Sequence, residues 1–251
     1  MSDGTSDLVS LEEFVPFEFK LGRLDKVTLD CAPLRTYFDG GQLPSAPAKC
    51  TYALNVDYPM ADNNSIGDCV LAGHIHLTQA VAQENGGTYT YPGDIATREE
   101  YFSLTGGADT GLVEATFLQA AKNSPILGSQ IDTFGVLDHT NIDEIKSAIY
   151  TFGGAFLGVQ LPQSAQNQFP STWSVVPNSP IEGGHCIVAI GYDTQFVYVV
   201  TWGTVVRCTW DWFTTYVEES YAVIYTEEVQ KNRGPLDQLD IARLRADIAS
   251  L

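Results

Sequence analysis

The chain has 251 residues, 44% of them hydrophobic, so it can bury a core as one large domain or as two lobes that share a cleft. Its formal net charge of −18 opposes binding to nucleic-acid backbones and to anionic membrane surfaces. The five cysteines show no CxxC spacing, which argues against a disulfide scaffold and a zinc site but leaves Cys31 and Cys50 open as a pair.

Residues 1–54 are predicted to form an extended, proline-rich arm rather than a domain. Prolines and Gly40-Gly41 interrupt this stretch, and few apolar residues recur with a helical period. Such an arm could cross a cleft or clamp the outside of the body. The first residues lack the features of a signal peptide, and no apolar run is long enough to span a bilayer, so we expect a cytoplasmic or virion-associated protein.

The body is predicted to span residues 55–228 and to begin with helices. A polar loop ends at Asp68, and from Cys69 the apolar positions fall on one helical face until Gly86-Gly87. Further helices are predicted at 95–104, 111–123 and 141–152, the last with Asn141 as its N-cap.

The second half of the body changes to strands. Runs rich in Val, Ile, Tyr and Trp predict strands at 155–161, 184–191, 196–202, 205–209 and 221–225. Helices followed by strands indicate an α+β fold. The stretch 162–180, which contains Trp173, is predicted to be a surface loop. Residues 229–251 form a tail with a short amphipathic helix, docked on the body or on a partner.

Cys69 stands where the polar loop meets the first helix. A helix N-terminus carries unsatisfied N–H groups and partial positive charge, which stabilise a thiolate in the first turn. An isolated cysteine of this kind is more often structural, so its interpretation as a nucleophile depends on a base elsewhere. His74 and His76 lie on different faces of the predicted helix and predict no shared metal site.

A histidine behind two glycines supplies the candidate base. Gly183 and Gly184 would let another backbone or a ligand approach closely. Strand alternation predicts that His185 looks outwards while Cys186 packs in the core. If the next strand pairs in a hairpin whose turn centres near residue 193, Thr201 lies directly across from His185.

The order of these residues resembles the papain-like cysteine peptidases. The chain has a cysteine at the head of the first long helix, then Gly183-Gly184-His185 before an apolar strand, then Gly191-Tyr192-Asp193 and an apolar strand that ends in Trp202-Gly203. It is similar, over roughly residues 55–226, to uncharacterised papain-like proteins of bacteria and phages. The resemblance implies a two-lobed α+β fold, with a helical N-terminal lobe and a twisted antiparallel β-sheet in the C-terminal lobe.

The resemblance also implies roles for individual residues. Cys69 matches the nucleophile, His185 the general base, and Trp202 the indole that shields the histidine. Asn63 stands where the family has the glutamine that completes the oxyanion hole, with Asn64 alongside. The family peptidases that process bacteriocins also have Asp before the cysteine, and Asp68 is expected to cap the helix.

The third member of the family's catalytic group, an asparagine, has no identical counterpart. Counting from His185 selects Thr201, whereas aligning on Trp202-Gly203 selects Val200. A threonine hydroxyl could accept a hydrogen bond from the imidazole Nδ1–H, and a valine could not. The predicted cleft therefore combines the Cys69-His185 dyad with Thr201 and Asn63, and is lined by Asn64, Asp68, Gly183, Gly184 and Trp202.

The function implied is that of a cysteine hydrolase. Its thiolate would attack the carbonyl of a peptide or protein substrate, form an acyl-enzyme and release it to water, with no cofactor or metal. One alternative is a structural or binding module with a decayed site, for instance a phage-particle component with an assembly partner. Another is a thiol amidase or acyltransferase that uses the same dyad on a different acyl group.

Overall fold

A computed structural model describes residues 19–226 and 238–251, and predictions for residues 1–18 and 227–237 lie outside these ranges. Seven α-helices and six strands succeed one another along the described chain. The helices are α1 Cys69–Glu84, α2 Asp94–Leu104, α3 Glu114–Asn123, α4 Ile142–Phe152, α5 Gln163–Gln168, α6 Trp210–Tyr216 and α7 Ile241–Ala249. The strands are β1 Ile131–Val136, β2 Ala155–Pro162, β3 Ile181–Tyr192, β4 Phe196–Thr201, β5 Thr204–Thr209 and β6 Val217–Tyr225.

One antiparallel sheet carries the C-terminal half, in the order β1-β6-β2-β3-β4-β5. The helices of the N-terminal half precede it, so the predicted α+β class is confirmed. Helix α1 packs directly on β3, where Gly73 leaves room for the Cys186 sulfur and the Phe156 ring. Nearly every α1 side chain is therefore buried, as expected of a helix that is apolar on most of its surface.

The predicted helices of the first half are confirmed, with one shifted start. Asn141 caps α4 as predicted, because its side chain accepts a hydrogen bond from the Glu144 N–H at 3.2 Å. Helix α3 begins at Glu114 rather than at Gly111. Gly111 has a φ of +80°, which a right-handed helix excludes, and the backbone of Leu112 pairs with the N-terminal segment instead.

A short helix and a buried tryptophan contradict the predicted surface loop at 162–180. Helix α5 occupies its beginning, and the fully buried Trp173 pairs with β5 through the Arg207 carbonyl and the Thr209 N–H, at 2.8 and 3.0 Å. Helix α6 follows β5, and its Trp212 ring lies 4.8 Å from that of Trp173. Both helices are too short to show a helical period, and a single tryptophan among polar residues does not predict a core position.

The described part of the tail docks on the body. Leu244 and Ile248 of α7 are buried, and Arg245 forms a two-pronged ion pair with Asp132 of β1, at 2.6 and 2.7 Å. Of the two predicted docking sites for the tail, the body or a partner, residues 238–251 therefore use the body. Within the described residues, no helix has the length and apolar character needed to cross a membrane.

Candidate active site

Cys69 is the first residue of α1 and is buried. Two residues outside the preceding loop hold it in position. Arg98 of α2 donates two hydrogen bonds to Asp62, at 2.6 and 2.9 Å, and Asp109 accepts one from the Gly67 N–H at 2.9 Å. The Cys69 sulfur accepts a hydrogen bond from the Cys186 N–H at 3.4 Å, which places it beside β3 next to His185. The predicted nucleophile therefore lies against the backbone of the residue that follows the predicted base.

His185 is fully buried, so the prediction that it looks outwards is wrong. The Trp202 ring stacks on the imidazole with centroids 4.7 Å apart, and the Phe19 ring of the arm stacks in turn on Trp202 at 4.4 Å. Strand alternation correctly separated His185 from Cys186, whose sulfur points into the core against α1. It could not predict that another segment of the chain covers the outer face.

Thr201 holds the imidazole, but through a different nitrogen and register from those predicted. Its hydroxyl oxygen lies 2.7 Å from Nε2 of His185, whereas Nδ1 was expected. Val188 pairs with Val200 and a bulge follows Ala189, so Thr201 contacts His185 diagonally rather than from the directly opposite position. The position of the turn explains the difference: Tyr192 pairs with Val197, so the turn is centred between residues 194 and 195 rather than near 193, and the bulge takes back only one position of that shift.

Trp202 owes its position to a tight hairpin turn. Thr201 pairs with Thr204, and the two residues between them, Trp202 and Gly203, have φ values of +46° and +67°. This left-handed pair is the geometry of the commonest two-residue hairpin. The turn places the indole over His185, which is where the resemblance predicted a shield.

The amide of Asn63 is bonded to Asp68, which does not cap the helix as predicted. Asp68 occupies the N-cap position, but its Oδ1 accepts from the Asn63 amide at 3.0 Å instead of from the first turn. Burial raises the pKa of Asp68 to about 8, opposed by the Asn63 hydrogen bond. The carboxyl is thus largely protonated near neutral pH and repels a thiolate less than an ionised one. Asn64 is half-buried and accepts from Ser65 at 3.3 Å.

The N-terminal segment 19–24 crosses the site between the two halves. Leu112, on the helical side, donates to the Gly22 carbonyl at 2.8 Å and accepts from the Leu24 N–H at 2.9 Å. Gly184, on the sheet side, accepts from the Arg23 N–H at 3.1 Å. Of the two courses left open for the arm, these residues therefore take the one across the cleft.

Glycines make this close crossing feasible. A Cβ on Gly22 would lie 1.7 Å from the carbonyl oxygen of Gly67, and a Cβ on Gly184 would lie 2.3 Å from the carbonyl oxygen of Arg23. The prediction that Gly184 admits another backbone is confirmed, and Gly183, which has room for the Leu21 side chain at 3.4 Å, adjoins the same segment. Gly22 itself was not singled out in the sequence, because its partner Gly67 lies 45 positions away.

The covered dyad is electrically neutral. Burial raises the pKa of Cys69 to about 12, although N–H groups of Cys186 and Gly22 favour the thiolate. Burial, with the nearby charges of Arg23 and His76, lowers the pKa of His185 to about 3. Thiol and imidazole both keep their uncharged forms across the neutral range as long as the segment covers them.

The other titratable side chains form no metal centre. His76 bonds the Pro59 carbonyl at 2.8 Å, and His74 packs against the Phe117 ring. No three His, Cys, Asp or Glu side chains are grouped as metal ligands in the described ranges. Cys31 and Cys50 are free thiols rather than a pair.

A buried ionic cluster beside the dyad was missed in the sequence. Arg23 of the crossing segment is fully buried and forms ion pairs with Glu218 and Glu219 of β6, near the buried Glu114 of α3. The one available signal was the acidic pair inside an otherwise apolar strand. It gives no indication of a partner nearly 200 residues earlier in the chain.

Comparison with solved structures shows the fold. No family model matches the sequence, and no curated protein matches it. The chain is similar to xylellain, a cysteine protease from Xylella fastidiosa, with a TM-score of 0.61 and 12% identity over 82% of this chain and 96% of that one. It is also similar to procathepsin B S9 from Trypanosoma congolense, with a TM-score of 0.60 and 12% identity over 82% and 86%. A stem bromelain precursor has a TM-score of 0.53 and 13% identity over 85% and 79%.

Proposed function

We propose that this chain, which has the papain-like fold, is a cysteine hydrolase that cleaves peptide bonds and is held closed by its own segment 19–24. The observation that carries the proposal is the convergence of Cys69, His185 and Thr201. The Cys69 sulfur lies beside β3, and the Thr201 hydroxyl is hydrogen-bonded to Nε2 of the imidazole. Nδ1 has no hydrogen-bond partner among the described residues and is the nitrogen left to receive the thiol proton.

The proposed reaction begins when the segment leaves the cleft. Water reaches the dyad, the desolvation that keeps both groups neutral is relieved, and the proton moves from Sγ to Nδ1. The thiolate attacks the substrate carbonyl, and His185 passes the proton to the leaving amine. Water, deprotonated by the same nitrogen, then hydrolyses the acyl-enzyme.

Two groups are the candidate donors to the oxyanion. The N–H of Cys69 belongs to the first turn of α1, where N–H groups have no acceptor within the helix. The second hydrogen of the Asn63 amide is the other candidate donor, because the first bonds Asp68. Loss of one such donor costs about 3 kcal/mol of transition-state stabilisation in acyl transfer. An uncharged Asp68 holds the Asn63 side chain without placing a negative charge beside the oxyanion.

Gly22→Ala provides the test, because an added Cβ collides with the Gly67 backbone and expels the segment. In the full chain, the rate of Cys69 alkylation by iodoacetamide is followed from pH 5 to 9 by peptide mass mapping. We expect slow labelling in the wild type, fast labelling near pH 6 in Gly22→Ala, and loss of the fast reaction when His185→Ala is added. Hydrolysis of an unfolded protein by Gly22→Ala, abolished by Cys69→Ser, would complete the assignment.

A papain-fold binding module with a decayed site is the second candidate. It is favoured by the buried, uncharged dyad and by the engagement of the Asn63 amide with Asp68. On this alternative, Gly22→Ala exposes a thiol that reacts no faster than a free cysteine and is indifferent to His185→Ala. That result would rule out the hydrolase and leave a scaffold whose partner should be sought.

A further inference from the structure

The Arg23 side chain fills a pocket next to the dyad. Its Nη1 donates to Glu219 Oε1 at 2.5 Å, while Nη2 donates to the Glu218 carboxylate and, at 3.3 Å, to the Val159 carbonyl. The guanidinium is completely buried, yet it belongs to a segment that lies across the body rather than within it. The pocket therefore holds an arginine side chain as a ligand is held, with acceptors for both terminal guanidinium nitrogens, while Nε has no hydrogen-bond partner among the described residues.

The pocket contains more carboxyl groups than Arg23 pairs with. Glu114 is fully buried, and within residues 19–226 and 238–251 no nitrogen or oxygen donor bonds either of its carboxylate oxygens. Burial raises the pKa of Glu114 well above its ordinary value and Glu219 raises it further, while Arg23 and a hydrogen bond from the Cys186 thiol oppose both effects. Arg23 is the cation paired with Glu218 and Glu219, so its removal without a replacement would leave the buried Glu219 carboxyl without its ion pair, which disfavours an empty pocket or a neutral occupant.

Two glycines shape the pocket to the length of an arginine. A Cβ on Gly158 of β2 would lie 2.5 Å from Glu219 and 3.0 Å from the Arg23 Cδ. A Cβ on Gly184 would lie 3.4 Å from the Arg23 Nε. Any larger residue at either position would narrow the channel through which the aliphatic stem passes.

The backbone edges on both sides of this pocket are those that an extended substrate would use. Leu112 presents one N–H and one carbonyl to the segment, Gly184 presents a carbonyl to it, and the Gly22 N–H of the same segment bonds the Cys69 sulfur. A peptide that adds to these edges as the segment does would pass the thiol and turn one side chain into the pocket. The edges fix the backbone, and the pocket selects the side chain.

We propose that the pocket of Glu114, Glu218, Glu219 and the Val159 carbonyl selects an arginine side chain of the peptide substrate, and that Arg23 occupies it in the closed form. This inference rests on the proposed hydrolase function and adds its substrate class, peptides with arginine near the scissile bond. Lysine is a poorer occupant, because its ammonium cannot pair with two carboxylates and a carbonyl in one plane.

The test uses the full chain with Gly22→Ala and Arg23→Ala together, which displaces the segment and removes the internal competitor. The probes are two pairs of dipeptidyl chloromethyl ketones, in which either the first or the second residue is arginine or its uncharged isostere citrulline and the other residue is alanine. Cys69 alkylation is timed by intact mass. For one pair we expect the arginine probe to react at least about tenfold faster, since hydrogen bonds to charged groups are the strong ones. The further substitution Glu219→Gln should make the alkylation rates of the arginine and citrulline probes of that pair nearly equal.

A second measurement does not depend on the thiol and covers the case in which the double variant fails to fold. Arg23→Ala alone keeps the segment but empties the pocket, and methylguanidinium should raise its Tm more than uncharged methylurea does, with no such difference in the wild type. Equal alkylation rates for arginine and citrulline in both pairs would overturn the pocket and leave the hydrolase intact. If no probe alkylates Cys69, the hydrolase fails, and equal Tm shifts for the two small molecules would then overturn the pocket as well.

Discussion

The Thr201 hydroxyl lies 2.7 Å from Nε2 of His185, and the Trp202 ring stacks on the same imidazole. The resemblance to papain-like peptidases implied an asparagine in this role, and the side chain that contacts the imidazole here is a threonine hydroxyl. A hydroxyl can accept the Nε2–H and thereby leave Nδ1 unprotonated. The proposed proton transfer uses this tautomer, in which Thr201 is the acceptor.

Thr201→Val should disable this orientation while preserving the shape of the side chain. In the Gly22→Ala background we expect the rate of Cys69 alkylation at pH 6 to fall about tenfold, because one hydrogen bond of ordinary strength is lost. Thr204→Val is the matched control, since that hydroxyl meets only the Trp202 carbonyl, at 3.5 Å. Thr201→Asn should retain the fast reaction. Equal rates for the two valine variants would show that Thr201 does not position the imidazole.

Phe19 is predicted to hold the crossing segment in place. Its ring stacks on Trp202 at 4.4 Å and meets the edge of Phe169 at 5.0 Å. Aromatic pairs of this kind contribute about 1 kcal/mol beyond area burial, so Phe19→Ala should raise Cys69 labelling at pH 8 about tenfold by favouring the open form. Hydrogen exchange at residues 22–24 should accelerate in parallel.

A control on the same segment separates loss of the ring from general loosening. Leu24 is 42% exposed, and its N–H rather than its side chain makes the contact with Leu112. Leu24→Ala should therefore leave both labelling and exchange near the wild-type rates. If it accelerates labelling as much as Phe19→Ala does, the stacked ring is not the anchor.

Asp68 should make stability depend on pH. Its pKa is about 8 in the folded protein and about 4 when unfolded, so the folded state binds the extra proton between these values. The contribution is present below about pH 4 and is lost as the pH rises to 8, at up to about 1.4 kcal/mol per unit. Asp68→Asn removes this dependence. Its free energy of unfolding in urea should therefore increase relative to that of the wild type as the pH rises from 5 to 8.

The exposed Asp57 supplies the control for this prediction. Asp57→Asn makes the same chemical change where burial does not act, so its unfolding free energy should follow that of the wild type across the range. If Asp68→Asn and Asp57→Asn have the same pH profile, Asp68 titrates as an ordinary surface carboxylate and cannot be the uncharged support of Asn63.

Much of the fold could be predicted from local sequence patterns. The apolar period from Cys69 defined α1, the Asn141 cap defined the start of α4, and the residues around Asp193 defined the β3–β4 turn, where its carboxylate accepts from two N–H groups at 2.8 Å. Cys69 at the head of α1, together with the Gly-Gly-His, Gly-Tyr-Asp and Trp-Gly motifs further along the chain, indicated the papain-like fold. Each of these signals lies within a few residues of the structure that it predicts.

The remaining features depend on partners far apart in the sequence. Arg23 meets Glu218 across 195 positions, and the Gly22 backbone meets Gly67 and Leu112 across the cleft. No period or spacing within either stretch carries that information. Tertiary contacts, not local propensity, thus fix the covered state of the dyad.

Trp173 provides the last prediction, on stability. It is fully buried between Trp202, whose ring centroid is 6.0 Å away, and Trp212 at 4.8 Å, so it supports the turn that carries the His185 shield. Trp173→Ala should lower the free energy of unfolding by about 3–5 kcal/mol through the cavity it leaves. Trp210→Ala, at a half-buried ring, should lower it by much less. Urea denaturation of both variants measures the difference, and similar midpoints would mean that the stretch 162–180 contributes little to the core.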